Sequence, residues 1–290
     1  MNDLCIMVAP NGARRTPADH PALPVTPAAL ARTARACQEA GASAVHLHVR
    51  DEALRHSLSP QAYRQAIAAI EEAAPGLVIQ TTTESAGIFS LDDQVEAATA
   101  LAPACLSFAL AEVIAQGEAR GMAVLHDLQA AGTGVQIILY TPAQIHDCAR
   151  LIDAGSLPVS DLPRLLLVAG RYSATLDSDP AEFDALHRAL VETGLAEAAL
   201  WMTCAFGRGE MAILERTIAL GGHVRVGFEN AITDAEGRPA RDNAERVAMV
   251  AAIARRLGRE PGGPGLARRV LGQRGERALL HPWTEQEHRA

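Results

Sequence analysis

Short apolar runs alternate along this chain with longer stretches in which apolar positions recur every three or four residues. The runs fall at 4–9, within 41–51, and at 77–80, 104–108, 134–140, 164–168, 200–203 and 223–226. Each reads as a buried strand. Between them the spacing predicts helices over 27–40, 60–74, 91–101, from 109 to about 131, from 142 onward, and over 179–193, 209–220 and 241–257. Thr26-Pro27, Ser59-Pro60 and Thr141-Pro142 each place a capping hydroxyl before a proline at the first helical position, and Gly41 and Gly221-Gly222 stand where helices should end. Eight strands alternating with eight amphipathic helices predict an α/β chain folded as a single (β/α)8 TIM barrel. A doubly wound sheet shares the alternation, but no Gly-x-Gly-x-x-Gly turn follows the first run. The barrel is expected over 1–259, with 260–290 as a C-terminal arm packing on the barrel or on a neighbouring subunit.

Composition narrows the chemistry. Hydrophobic residues make up 49% and aromatics 3%, so the core is to be filled by Ala, Leu, Val and Ile. A formal charge of −8 supplies no basic face for nucleic acid. Cys5, Cys37, Cys105, Cys148 and Cys204 are scattered with no C-x-x-C pair, and read as small buried residues. No signal-like or membrane-length segment is visible, so a soluble, cytoplasmic protein is expected. All 26 basic residues are arginine. The chain therefore has no lysine for a Schiff base or a P-loop.

The most informative stretch is Val45-His46-Leu47-His48-Val49-Arg50-Asp51. Side chains at i and i+2 of a strand share a face, roughly 7 Å apart along the chain, so the two imidazoles can converge on one point. A lone histidine there would be ordinary core packing. Two buried rings without partners would cost on the order of 1–3 kcal/mol each, which favours a shared ligand or a dense hydrogen-bond network. In a barrel the first, second and eighth strands are neighbours and their C-terminal ends form the active site. Those ends carry Asn11, Arg14 and Arg15, then His46, His48 and Arg50, then Arg225 and Glu229, with Thr82, Thr83 and Glu84 on the third. Glu229 is the best third metal ligand, its alternative being a solvated loop carboxylate. Arg225 faces either inward, to bind an anion, or outward, into a salt bridge.

Six motifs in order then resemble one family: Pro10-Asn11-Gly12-Ala13-Arg14-Arg15-Thr16, Leu23-Pro24-Val25-Thr26-Pro27, the His46 to Asp51 stretch, Gln80-Thr81-Thr82-Thr83, Ala205-Phe206-Gly207-Arg208-Gly209, and Gly222 through Asn230. Together they look like the β-keto acid cleavage enzymes, which include the 3-keto-5-aminohexanoate cleavage enzyme. The resemblance implies a zinc-dependent barrel, homotetrameric or another homo-oligomer, that condenses a β-keto acid with acetyl-CoA as co-substrate to give acetoacetate and a new acyl-CoA. It implies one Zn2+ per chain on His46, His48 and Glu229, Arg225 as the catalytic arginine, and Thr82 as a substrate-binding hydroxyl, with Asn11, Arg14 and Thr83 beside it.

Two positions depart from the aminohexanoate enzyme. Asn230 stands where that enzyme pairs an aspartate with the arginine, and an amide is no base, so Glu84, Asp51 or a metal-bound hydroxide is expected to take the proton. Arg14 stands where that enzyme has an acidic residue that meets the substrate amine, so a neutral or anionic tail is expected. The alternative function is a metal-dependent hydrolase, aldolase or lyase on the same barrel. Arg171, Arg208 and the tail arginines Arg268, Arg269, Arg274 and Arg277 are the candidates for CoA phosphates.

Overall fold

The computed structural model describes residues 3–159, 161–171 and 177–273. Eight parallel strands close into a barrel: β1 (Ile6–Val8), β2 (Ala44–Leu47), β5 (Val78–Thr82), β6 (Cys105–Ala109), β7 (Gly134–Leu139), β8 (Arg164–Ala169), β9 (Leu200–Ala205) and β10 (His223–Val226). β1 lies between β10 and β2, with Met7 beside Arg225 and Ala44, and so brings the two ends of the chain's strand order together. The architecture is the expected (β/α)8 barrel.

Around it run α1 (Pro27–Glu39), α2 (Pro60–Ala73), α3 (Leu91–Leu101), α4 (Leu110–Ile114), α5 (Glu118–Ala130), α6 (Pro142–Asp153), α7 (Pro180–Glu192), α8 (Leu195–Ala198), α9 (Glu210–Ala219) and α10 (Asn243–Arg256). The hydroxyls of Thr26, Ser59 and Thr141 accept from the amides of Ala29, Ala62 and Gln144, as the sequence pattern predicts. The single helix expected from 109 to about 131 is two, α4 and α5, because Gly117 takes φ 111° between them. A two-stranded hairpin, β3 (Val49–Arg50) and β4 (His56–Ser57), leaves the rim directly after His48, where a plain loop was expected.

Side chains on alternate strand positions fill either the lumen or the layer beneath the helices. Inside, Cys5, Ala44, Val78, Cys105, Leu166 and Met202 pack against Ala267, Val270 and Leu271 of α11 (Pro264–Leu271), which closes the end of the barrel where the strands begin. The first part of the C-terminal segment is thus the barrel floor. Arg274, Arg277 and the rest of 274–290 lie outside the described residues. All five cysteines are free and buried. Among the described residues no helix is long and apolar enough to cross a membrane.

Candidate metal and substrate site

The strand pattern that points Ala44 into the lumen also points His46 and, just past the end of β2, His48 the same way. Their Nε2 atoms lie 3.1 Å apart. Glu229, in the turn after β10, reaches across the end of β1 until its Oε2 is 3.3 Å from His48 Nε2 and 3.9 Å from His46 Nε2. Two glycines make room for this. Gly12 takes φ 62°, and a Cβ there would stand 2.6 Å from Glu229 Cγ. Gly227 takes φ 144° with its face against the Ala9 carbonyl.

The second oxygen of Glu229 accepts from Arg225 Nη2 at 2.9 Å. Burial alone would push the Glu229 carboxyl up, but Arg225, then His48 and His46, outweigh it and hold the group well below the usual carboxylate range. Burial first, and the Arg225 charge second, push His46 well below the usual imidazole value. The pocket therefore presents a carboxylate and a neutral His46 ring. His46 Nδ1 is 2.8 Å from Gln80 Oε1, and Gln80 is oriented by donating from Nε2 to Gln136 Oε1 at 3.0 Å. That network assigns the proton to Nδ1 and the lone pair to Nε2.

Two imidazole nitrogens and a carboxylate oxygen suit a divalent ion such as zinc. Four-coordinate zinc with bonds of about 2.0–2.2 Å has donor–donor edges of roughly 3.3–3.6 Å, against the 3.1, 3.3 and 3.9 Å of these three atoms. Glu229 Oε2 is buried with no hydrogen-bond partner among the described residues, as an atom awaiting a ligand would be. The residues fit the metal.

Arg225 faces inward, which settles the alternative left open by the strand pattern. It is 3% exposed, its Nη2 also meets Cys204 Sγ at 3.2 Å, and its Nε has no partner among the described residues. A cavity opens above these groups, lined by Asn11, Arg14, Arg15, Thr82, Glu84, Ser107, Glu112, Tyr140, Arg171, Arg225 and Glu229 among others. Asn11 Nδ2 donates to the His48 carbonyl while its Oδ1 has no partner among the described residues. Thr82 Oγ1 accepts from the Glu84 amide at 3.0 Å. Glu84 places Oε1 3.1 Å from Arg171 Nη2 and Oε2 4.0 Å from His48 Nε2.

Other sequence candidates fall elsewhere. Thr83 does not line the cavity; its hydroxyl donates to the Ser107 carbonyl. Asn230 is fully buried and not among the residues lining the cavity, and neither end of its amide has a partner among the described residues. Asp51 does not line the cavity: its Oδ1 accepts from the amides of Ala53 and Arg55, and its Oδ2 pairs with the Arg55 side chain. Arg14 lines the rim, exposed and with no ion pair among the described residues, whereas Arg15 turns under the loop and donates to the carbonyls of Phe228 and Asn230. Arg268 and Arg269 sit on α11, at the opposite end of the barrel. Sequence reasoning missed Gln136, Glu112 and His56. A lone glutamine inside the apolar run of β7 was the signal for the first.

A family model described as beta-keto acid cleavage enzyme matches residues 3–272. A 3-keto-5-aminohexanoate cleavage enzyme of Fusobacterium nucleatum is 30% identical over 285 residues, covering 93% of this chain and 98% of that one. A 3-oxoadipate:acetyl-CoA acetyltransferase of Cupriavidus necator is 27% identical, covering 94% and 96%. Among solved structures, apo ObcA superposes with a TM-score of 0.64 at 18% identity, over 87% of this chain and 66% of its own, a likeness of fold.

Proposed function

The chain belongs to the β-keto acid cleavage enzyme family and is an acyltransferase of that kind, and from this premise we propose that it exchanges acyl groups between acetyl-CoA and a β-keto acid with a neutral or anionic tail, using one zinc ion held by His46, His48 and Glu229. The observation that carries the reading is the convergence of those three donor atoms, with Arg225 on the free side of Glu229, at the base of one cavity. The exchange balances: the acetyl group moves from sulfur to the carbon between the keto and carboxylate groups, and the original acyl group moves from that carbon to sulfur, releasing acetoacetate.

Zinc bound there would supply Lewis acidity toward the substrate oxygens and so acidify the carbon between them. Glu84 would take the proton on Oε2, the oxygen that Arg171 leaves unpaired. Arg225 would turn its unpartnered Nε–H toward the negative oxygen that follows. Asn11 and Thr82 line the same wall and would orient the substrate. Asn230 takes no proton in this scheme, since its amide is not basic. The tail charge is inferred from Arg14, whose guanidinium at the rim has no carboxylate partner among the described residues and would repel an ammonium.

The test is metal content together with acetyl-CoA-dependent acetoacetate formation over β-keto acids of varied tail charge, for the wild type and Glu84→Gln. The expected result is about one zinc per chain, preference for neutral or anionic tails, and a Glu84→Gln protein that keeps zinc and loses turnover. Better turnover of a 5-amino substrate would overturn the tail assignment. Zinc with hydrolysis or aldol cleavage and no thioester dependence would replace acyl transfer with the hydrolase or aldolase reading.

A further inference from the structure

The two histidines of the metal site are held differently. His46 Nδ1–H is fixed by Gln80, itself fixed by Gln136. His48 Nδ1 is completely buried and has no hydrogen-bond partner among the described residues. A ligating imidazole nearly always donates its second N–H to an acceptor that sets the ring's orientation and raises its basicity. His48 needs such an acceptor, and the polar atoms of its own strand do not supply one.

His56 stands opposite. It comes in on β4, where it pairs with Arg50, two residues beyond His48 on the facing strand. Its ring lies 5.3 Å from that of His48, centroid to centroid, at an interplanar angle of 51°. Phe89 meets it edge-on from another side at 5.7 Å. His56 Nε2 is 2.9 Å from the backbone carbonyl of Glu84, which can only accept, so Nε2 carries the proton and Nδ1 carries a lone pair. That Nδ1 is buried and is likewise without a partner. The unmatched groups are complementary: a donor on His48 once its Nε2 faces the metal, and an acceptor on His56.

We propose that His56 is the positioning residue for His48. The Nδ1–H of His48 donates to Nδ1 of His56, either directly after a small rotation of the rings or through one bridging water, and the relay ends on the Glu84 carbonyl. The hairpin therefore has a purpose in the site: it delivers a neutral acceptor to the ligand that the barrel's own strands leave unsupported. It also ties the orientation of His48 to the backbone of Glu84, whose carboxylate stands 4.0 Å from the same ring's Nε2. This assignment rests on His48 being a metal ligand.

The experiment compares zinc affinity, by chelator competition, and the ligand-field spectrum of the cobalt-loaded protein in the wild type, His56→Phe and His56→Asn. Phenylalanine keeps a ring against Phe89 and removes the acceptor. Asparagine returns an acceptor oxygen near the Nδ1 position. His56→Phe is expected to bind zinc about 10- to 100-fold more weakly, with a shifted cobalt spectrum, and His56→Asn to recover most of both. If His56→Phe does not fold, His56→Asn against the wild type still decides, because it must keep wild-type affinity to within a few-fold. His56→Phe with wild-type affinity and spectrum, or His56→Asn no better than His56→Phe, overturns the relay and leaves the ligand set standing. A wild type that binds no metal overturns the ligand set, and the relay falls with it.

Discussion

At the floor of the barrel Cys5, Ala44, Val78 and Cys105 point into the lumen, and Ala267, Val270 and Leu271 close over them. Two residues further along the second, third and fifth barrel strands, and along the eighth beyond His223, the same lumen holds His46, Gln80, Gln136 and Arg225. The floor is apolar and sealed. The rim leaves Asn11 Oδ1, His48 Nδ1, Ser107 Oγ, Gln136 Nε2, Arg225 Nε and Glu229 Oε2 buried without partners among the described residues. Each such atom costs on the order of 1–3 kcal/mol unless a ligand or water satisfies it. The comparison teaches that the floor is held by apolar packing, while the rim carries buried polar atoms, of which Asn11 Oδ1, Ser107 Oγ, Arg225 Nε and Glu229 Oε2 stand where a metal or a substrate would satisfy them.

Substitutions at the two ends should therefore separate cleanly. The largest effect is expected from His46→Ala: metal content falls to background and turnover drops roughly a thousandfold or more, in a protein that still folds without metal. Elemental analysis beside a thiol-release assay checks it, and retained turnover would break the contrast from the rim side. Next comes Leu271→Ala, which empties space in the floor. A loss of about 2–5 kcal/mol in denaturant unfolding is expected, with KM and zinc content unchanged. An altered KM would show that the floor and the rim are coupled.

The smallest effect sharpens the contrast by pH. His223, on the floor side of Arg225, has its Nδ1 accepting from the Cys5 amide at 3.1 Å; burial first, then the charges of Arg259 and Arg269, push its pKa down to about 4. Unfolded, it titrates near 6.5. Between pH 6.5 and about 4 the unfolded chain therefore binds a proton that the folded chain refuses, so stability falls as the pH falls through that window, by roughly 2–3 kcal/mol for this residue. His223→Asn should flatten the slope in a series of denaturant midpoints without moving the pH profile of turnover. An unchanged slope would show that His223 is not the group responsible.

Legibility in the sequence follows the range of the interaction that decides each feature. The strand–helix alternation, the hydroxyl–proline caps and the shared face of His46 and His48 depend on neighbours a few residues apart, and all were readable. So was Arg225 as a candidate, but not the face it takes. The expected helix from 109 to 131 split because one glycine, Gly117, adopts a conformation that composition alone does not compel. The hairpin at 49–57 was hidden because its strands are two residues each, too short to show a period.

What the sequence determined by itself was the barrel, the order of its strands and which strand ends would hold polar groups, since local propensity and hydrophobic period suffice for these. Only the tertiary structure decided that Glu229 meets both imidazoles, that Arg225 turns inward, that Arg14 is exposed at the cavity while Arg15 is tied to the Phe228 and Asn230 carbonyls, that Asp51 is spent on its own turn, and that Gln136 and His56 stand behind the two histidines. Each of those depends on the register between strands distant in the chain or on the path of a loop, and neither is written in the pattern of any one segment.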